Sequence, residues 1–220
     1  MLLAQQTWQL PDRDLILENE GVLLRPVSWE RDRVDLWKAV ERSNRETDLF
    51  RFHINVGPFS SLEEFSEYFL YKCQNLSELT FSVFSKRLQR LVGCCSVMNV
   101  RTDHGTAEIG SIWYETEAQR TEINTNTMFL VFEHLFEVLG YRRLEWKCNS
   151  ENLASARAAE RLGFTFEGKF RQHFVSRGAN RDTLWYSIID SEWPAVRARL
   201  ESLRQPRQGA GVNTSPPSRP

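Results

Sequence analysis

The hydrophobic period of the chain changes near residue 80, and this change most constrains the fold. Apolar and polar residues alternate over 80–85, a polar turn follows at 87–90, and residues 91–100 form another strand-like run. A third run, 107–114, follows the turn residues Asp103, His104 and Gly105. Period-two alternation predicts strands, and the short polar turn predicts an antiparallel hairpin. The middle of the chain therefore predicts three consecutive strands.

Helical spacing surrounds these strands. A first strand at 22–27 precedes helix 29–43, and Ser60 with Glu63 predicts a capping box that opens a second helix with a buried stripe of Leu62, Phe65, Phe69 and Leu70. After the three strands we predict a helix over 125–139 ended by Gly140, a strand over 143–148, a helix over 152–162 ended by Gly163, strands over 164–175 and 183–189, and a helix over 193–203. This order predicts an α+β domain.

The chain divides into three parts by composition. Residues 1–20 are predicted to be an unpatterned N-terminal leader, 21–204 one domain, and 205–220 a disordered tail rich in Pro, Gly and Ser. The formal net charge of −1 disfavours nucleic acid as a partner. No apolar stretch is long enough to cross a bilayer, so we expect a cytoplasmic protein with no membrane partner.

The cysteines and histidines show no metal-ligand spacing. Cys73, Cys94, Cys95 and Cys148 include no C-x-x-C pair, and the four histidines are isolated from one another. We therefore expect buried, reduced thiols and no metal. Cys94 and Cys95, as neighbours on a strand, are expected to point to opposite faces of the sheet.

One segment carries the strongest functional pattern. It contains Glu108-Ile109-Gly110-Ser111-Ile112-Trp113-Tyr114, then the loop 115–125, a helix, and later Asn149-Ser150-Glu151-Asn152-Leu153-Ala154-Ser155 and Glu160-Arg161-Leu162-Gly163-Phe164. This ordered set resembles the GNAT acetyltransferases, in particular the RimJ/RimL-type branch that includes ribosomal-protein N-terminal acetyltransferases. The resemblance spans residues 23 to about 189 and implies a mixed, mostly antiparallel sheet that is splayed at an acetyl-CoA site and flanked by helices.

The loop before the third helix is the predicted pyrophosphate site. A loop that enters a helix N-terminus presents free amide groups and the positive end of the helix dipole to an anion. The candidate residues are Gln119, Arg120, Thr121, Glu122, Ile123, Asn124 and Thr125. A plain strand-to-helix connection is the alternative. Family members usually have small residues where Glu122 and Asn124 stand, so Glu122 adds bulk and negative charge, which Arg120 is expected to offset.

The resemblance also implies roles for individual residues. The backbone of Ile112, Trp113 and Tyr114 would pair with the pantetheine arm, and Asn152 would bind that arm, although Asn152 is equally suited to be a helix N-cap. Asn149 is a further polar candidate. Glu108 is the predicted base, with a structural salt bridge as its alternative. Ala159 stands where many members have a tyrosine acid, so Ser155 is expected to deliver the proton to sulfur, with Tyr186 as a remote alternative.

The predicted activity is acetyl-CoA-dependent N-acetylation of a primary amine, on a small molecule or a protein N-terminus, by direct transfer in a ternary complex. The implied partners are acetyl-CoA and the amine. Arg42, Arg45, Arg51 and His53 are candidates for the acceptor cleft, although a solvated charged face is the stronger interpretation. The alternative function is a noncatalytic acyl-CoA-binding or protein-interaction module, and a third is an RNA-associated modifier.

Overall fold

A computed structural model describes residues 7–44 and 48–204 of the 220-residue chain. The predicted disordered tail (205–220), the start of the predicted leader and Arg45 lie outside the described residues. In the described part, no helix is both long and apolar enough to span a membrane.

Strands and helices follow the predicted order. The strands are β1 (Leu17–Glu18), β2 (Val22–Pro26), β3 (Leu79–Ser85), β4 (Arg90–Arg101), β5 (Thr106–Tyr114), β6 (Arg143–Asn149), β7 (Thr165–Ser176) and β8 (Ala179–Ile189). The helices are α1 (Trp29–Asn44), α2 (Leu62–Gln74), α3 (Ile123–Glu133), α4 (Leu153–Leu162) and α5 (Trp193–Arg204). A 3₁₀ turn at Thr116–Ala118 precedes α3, and a π-helical stretch at His134–Val138 extends it.

Over the described residues, eight strands form one sheet in the order β1-β2-β3-β4-β5-β6-β8-β7. Its neighbouring strands pair antiparallel, except for β5 and β6, which run parallel because α3 crosses over between them. The prediction of a mixed, mostly antiparallel α+β sheet is confirmed. The predicted hairpin is the β3–β4 pair.

The sheet separates two apolar cores. One face packs against α1 and α2 through Leu36, Val40 and Phe65, and the other packs against α3, α4 and α5 through Phe132, Leu162, Leu200 and their neighbours. Cys94 belongs to the first core and Cys95 to the second. The predicted opposite orientation of these two thiols is confirmed, and all four cysteines are free.

Several helix details differ from the predictions. The α2 N-cap is Ser61, whose Oγ accepts from the Glu64 amide, while the Glu64 carboxylate accepts from the Ser60 amide and hydroxyl, so the predicted capping box is displaced by one residue. Leu70 is 37% exposed and lies outside the buried stripe. Helix α3 begins at Ile123, two residues earlier than predicted. The Gly140 end is confirmed by its positive φ of 66°.

The segment predicted as a leader packs on the domain from Trp8 onward. The Trp8 indole is 7% exposed, its Nε1 donates to the Gly140 carbonyl at 2.6 Å, and its ring covers Gly105, where a Cβ would lie 2.5 Å from the ring. Strand β1 then pairs with β2. A lone tryptophan has no periodicity, so pattern analysis missed this contact, and the packed unit reaches back before residue 21.

Candidate active site

Strands β5 and β6 diverge partway along their length. Their parallel pairing covers Thr106 to Ile109 against Arg143 to Trp146. Beyond these pairs β5 continues to Tyr114 and β6 to Asn149. Diverging strands expose backbone N–H and C=O groups that an extended ligand can pair with. The gap therefore fits the pantetheine role predicted for the backbone of Ile112, Trp113 and Tyr114.

A β-bulge at Ser111 changes the face of the sheet to which the following β5 side chains point. Ser111 has a φ of +50°, and two residues of β5, Ser111 and Ile112, lie opposite one residue of β4, Cys95. Before the bulge Ile109 faces the α3 side; after it, Trp113 packs in the core on the α1–α2 side and Tyr114 in the core on the α3 side. Bulges are common next to active sites because they redirect side chains.

The predicted base, Glu108, is held by two neighbours. Its Oε2 accepts from Lys147 Nζ at 2.6 Å and from Asn99 Nδ2 at 2.7 Å, and the residue is 7% exposed. Asn99 has a φ of +48° at a second bulge, on β4, which brings its amide to the carboxylate. The salt bridge weighed as the alternative for Glu108 is therefore present.

The other carboxylate oxygen of Glu108, Oε1, makes no hydrogen bond in the described structure. Both hydrogen bonds fall on Oε2, and a Cβ built at Gly110 would lie 3.6 Å from Oε1. Gly110 thus places no side chain beside Oε1. The same Cβ would lie 2.7 Å from the Met98 sulfur, so a larger residue here would crowd the strand. Glu108 is consequently a held carboxylate with one oxygen that makes no hydrogen bond.

The N-terminus of α4 lies across the gap. Asn152 is its N-cap, with Oδ1 accepting from the Ser155 amide at 3.1 Å, so the capping role is confirmed and the ligand role stays a prediction. Ser155 Oγ accepts from Trp146 Nε1 at 3.0 Å. Indole nitrogen can only donate, so the Ser155 hydroxyl proton remains available to another acceptor. The Cys148 thiol lies beside it, and burial raises the pKa of that thiol.

The remaining candidates near α4 have structural contacts, and the cofactor role of Asn149 stays a prediction. Asn149 Oδ1 accepts from the Glu151 amide at 2.9 Å and shapes the turn into α4. Tyr186 is 2% exposed, and its register partner on β6 is Trp146, so it lies in the core. Ala159 is fully buried. A tyrosine at position 159 would need the surrounding core to repack, which leaves Ser155 as the better-placed hydroxyl.

The predicted pyrophosphate loop is ordered by its own side chains. Gln119 Nε2 donates to the Tyr114 carbonyl at 2.8 Å. Thr121 Oγ1 donates to the Ala118 carbonyl at 2.7 Å and accepts from the Ile123 amide. Arg120 is exposed and has a φ of +58°. The loop therefore presents the α3 N-terminus without a glycine, because Arg120 adopts the left-handed conformation that glycine usually supplies.

The charge pairing at the start of α3 differs from the expected pairing of Glu122 with Arg120. Glu122 pairs with Arg87 (Nε to Oε1, 3.2 Å), rather than with Arg120, and both side chains are about half exposed. Thr125 Oγ1 accepts from Arg161 Nη1 at 2.7 Å, which adds a cation from α4. Asn124 Oδ1 is buried without a hydrogen-bond partner in the described structure. These groups fit a phosphate-bearing ligand, because the nearby cations balance the Glu122 carboxylate.

Three cationic or titratable side chains, Lys72, His53 and Arg181, lie near β5 on the α1–α2 side of the sheet. We call this space beside Glu108 and Ser111 the acceptor cleft. Lys72 Nζ donates to Ser111 Oγ at 3.2 Å and also contacts Glu78. His53 interacts with the Ile112 backbone, and burial lowers its pKa to about 4, with Lys72 and Arg181 also disfavouring the charged form. His53 is therefore neutral near pH 7. Arg181, on β8, interacts electrostatically with Glu108 and Cys148.

Of the four acceptor-cleft candidates, His53 alone reaches this cleft within the described residues. Arg42 Nε donates to Glu115 at 2.7 Å, and Glu115 is fully buried, so Arg42 is held in a salt bridge away from Glu108. Arg51 is exposed and lies over the Phe52 ring. The solvated-face interpretation fits Arg51, whereas Arg42 makes a structural salt bridge that was not predicted.

The β7–β8 hairpin forms the far wall and closes over the cleft. Its aromatic side chains are Phe170, stacked on Trp185 at 4.7 Å, with His173 and Phe174 beside them. At its tip, Arg177 donates from Nη2 to the carbonyls of Phe50, Val56 and Gly57 and from Nη1 to Asp48 at 3.2 Å. We call these contacts the Arg177 clasp. The clasp joins the hairpin to the α1–α2 loop.

Sequence patterns missed Asn99, Lys147, Lys72, Arg181 and Arg177. Lys147 had a detectable signal, because it is two residues from Glu145 on a strand that parallels β5 and thus shares a face with Glu108. The other four depend on bulges or on contacts between distant segments, which a single sequence does not reveal.

Comparisons with known proteins agree with this geometry. The Acetyltransferase (GNAT) domain model matches residues 22–165. A Bacillus subtilis (strain 168) protein named "Putative ribosomal N-acetyltransferase YdaF" is 31% identical over 103 residues, 47% of this chain and 56% of that protein. A second protein of that strain, "Uncharacterized N-acetyltransferase YnaD", is 24% identical over 157 residues, 71% of this chain and 89% of that protein.

The crystal structure of a GCN5-related N-acetyltransferase from Brucella melitensis superposes with a TM-score of 0.87 and 35% identity, covering 91% of this chain and 90% of that chain. A splayed sheet of this architecture defines an acetyltransferase-type domain. The chain belongs to the GNAT acetyltransferase family. The ribosomal name of YdaF supports the resemblance to the RimJ/RimL-type branch.

Proposed function

We propose that this protein transfers the acetyl group of acetyl-CoA to a primary amine, on a small molecule or a protein N-terminus, by direct transfer in a ternary complex. The observation that carries the proposal is the pair of polar groups at the strand gap: Glu108, with one oxygen that makes no hydrogen bond, and Ser155, whose bond from Trp146 leaves its hydroxyl proton unused. An amine must lose a proton to attack a thioester, and the departing thiolate must gain one. These residues suit the two tasks.

Acetyl-CoA would supply the activated acyl group, with its pantetheine arm along β5 and its pyrophosphate at the start of α3. Glu108 Oε1 would accept the amine proton, directly or through a water molecule. Lys147 and Asn99 hold Oε2 and so fix the orientation of the carboxylate. Ser155, held by Trp146, would donate to the departing sulfur.

Direct transfer is favoured over an acetyl-cysteine intermediate by the state of the thiols. Burial raises the pKa of Cys148, the thiol beside Ser155, and raises the pKa of Cys73 to about 11. The thiolate is the nucleophilic form of cysteine, and a raised pKa keeps it scarce. The chain therefore offers no activated thiol among the described cysteines.

The test compares two carboxylates that bind the same lysine. Glu108 and Glu145 both contact Lys147 Nζ, but in the described structure only Glu108 also has a carboxylate oxygen without a hydrogen bond. Glu108→Gln should lower kcat by about a hundredfold or more, because general-base catalysis typically contributes that much. Glu145→Gln is the matched control and should change kcat by less than about fivefold. Thiol release from acetyl-CoA over a panel of amines and peptides measures both.

Two outcomes would contradict the proposal. Equal losses in the two variants would assign Glu108 to structure, since each loses one Lys147 contact. Calorimetric binding of acetyl-CoA without turnover of any acceptor would favour the noncatalytic module instead. Ser155→Ala adds an independent check: it should lower kcat while the protein keeps its melting temperature, because the residue is small and partly exposed.

A further inference from the structure

Arg181 is a buried guanidinium with spare hydrogen-bonding capacity. It is 8% exposed, its Nη1 donates to Thr183 Oγ1 at 2.9 Å, and its guanidinium lies 5.6 Å from the Phe174 ring centre. Its Nε is buried and has no hydrogen-bond partner in the described structure. One edge of the guanidinium is thus engaged, while the Nε edge is free.

Three neighbouring cations on this side of the sheet are paired with carboxylates. Lys147 contacts Glu108 and Glu145, Lys72 contacts Glu78, and Arg177 contacts Asp48. Within residues 7–44 and 48–204, by contrast, no carboxylate lies at salt-bridge distance from Arg181. A buried charge without a partner is costly, and arginine stays charged in proteins. An anion from outside the chain would remove this imbalance.

The free guanidinium lies in the acceptor cleft. Arg181 interacts electrostatically with Glu108 on β5 and with His53 on the α1–α2 loop, so it lies between the two walls of the cleft. On β8, Arg181 shares a face with Trp185, whose ring lies 4.0 Å from Lys147 Nζ. A ligand group at Arg181 would therefore lie in the same cleft as an amine presented to Glu108.

We propose that Arg181 binds a carboxylate group of the amine acceptor. A carboxylate suits the site because its two oxygens match one edge of a guanidinium, and a bidentate pair of this kind is strong in a buried setting. This inference rests on the proposed acetyltransferase function and narrows its substrate class to amines that carry a carboxylate. The aromatic wall formed by Phe170, His173, Phe174 and Trp185 would pack against the chain that links the two groups.

The experiment uses matched acceptors that differ only in charge. The ω-amino carboxylates from glycine to 6-aminohexanoate are each compared with the corresponding ω-amino carboxamide, and Ala-Asp peptides with Ala-Asn peptides. For each pair, kcat/KM for the carboxylate is divided by kcat/KM for the carboxamide. Comparing this ratio between wild type and Arg181→Gln cancels differences in amine pKa. We expect the ratio at the best chain length to fall at least tenfold in Arg181→Gln.

Two variants serve as controls. Arg171→Gln removes an exposed guanidinium from the neighbouring strand β7 and should leave the ratio unchanged. Arg181→Lys keeps the charge but loses the fork, so it should retain part of the preference. A ratio that is the same within twofold in wild type and Arg181→Gln, at every chain length, would overturn the inference.

A binding measurement separates this inference from the proposed function. The same carboxylate and carboxamide pairs are titrated calorimetrically into wild-type protein saturated with CoA, which needs neither turnover nor a variant. At least tenfold tighter binding of one carboxylate than of its carboxamide would support the Arg181 assignment. Equal binding would overturn it even if both acceptors are acetylated. Failure of CoA itself to bind would instead contradict the proposed function.

Discussion

We predict that the Arg177 clasp holds the acceptor cleft closed. Arg177 and Gly178 form the β7–β8 turn, with φ values of +51° and +77°, and Ser176 pairs with Ala179 on either side. Besides its side-chain contacts, the Arg177 amide donates to Asn55 Oδ1 at 3.0 Å. Replacing the arginine by glutamine should therefore release the α1–α2 loop, residues 48–57, from the hairpin.

The expected free-energy loss in Arg177→Gln follows from the solvent exposure of the Arg177 side chain. Hydrogen bonds to a charged group contribute about 1.5–3 kcal/mol when buried, whereas exposed ion pairs contribute about 0–1 kcal/mol. The Arg177 side chain is 35% exposed, and water can replace it at the loop carbonyls. We therefore expect Arg177→Gln to weaken the contact between the hairpin and the loop by about 1–2 kcal/mol of free energy. If the acceptor requires the ordered loop, its KM should rise by up to about tenfold, since 1.4 kcal/mol corresponds to tenfold.

Two assays check this prediction. Amide hydrogen exchange should accelerate in residues 48–57 and stay unchanged in α3 to α5, and steady-state kinetics should show a higher acceptor KM with an unchanged Kd for acetyl-CoA. Arg171→Gln, on the adjoining strand β7, is the control. Arg177→Lys should behave like Arg177→Gln, because one ammonium nitrogen cannot replace both Nη2, which binds three carbonyls, and Nη1, which binds Asp48. Unchanged exchange in 48–57 together with an unchanged KM would refute the reasoning.

Three further predictions concern other parts of the chain. Glu122→Gln should tighten acetyl-CoA binding severalfold, more at low salt, by freeing Arg87 for phosphate; weaker binding in calorimetry would show that the pair supports the loop. The folded pKa of His53 (about 4) lies below the unfolded value (6.5), so stability falls as pH drops through that window, by up to about 3 kcal/mol. His53→Gln should flatten this dependence in denaturant titrations; an unchanged slope would contradict it. Trp8→Ala should cost about 3 kcal/mol of unfolding free energy, whereas a dispensable leader would leave stability unchanged.

Local chemistry explains which parts of the fold could be predicted. The long elements have clear periods, so helix α4 with its Asn152 cap and its Gly163 end follows from residue types and spacing. The same holds for the opposed faces of Cys94 and Cys95. These features depend on neighbours within a few residues, which the sequence states directly.

The candidate site was harder to predict because its geometry depends on exceptions to those local rules. Asn99, Ser111 and Arg120 all adopt positive φ without being glycine, so nothing in the sequence indicated the two bulges or the loop turn. The partners of Glu122 and Arg177 are 35 and more than 100 residues away. Pattern analysis named Glu108 and Ser155 from a resemblance, but their hydrogen bonds required the tertiary structure.

The bulge at Ser111 connects these exceptions to function. A non-glycine residue at positive φ costs about 1–3 kcal/mol and persists where the surroundings hold it. Here Lys72, itself buried, donates to the Ser111 hydroxyl from α2. Without the bulge, strict alternation would place Trp113 in the core on the α3 side and remove it from contact with Phe50 and Phe65. The bulge thus lets β5 carry Glu108 in the acceptor cleft and leave its backbone groups after Ile109 unpaired with β6. Beyond the bulge, Trp113 of the same strand packs against Phe50 in the loop that the Arg177 clasp holds.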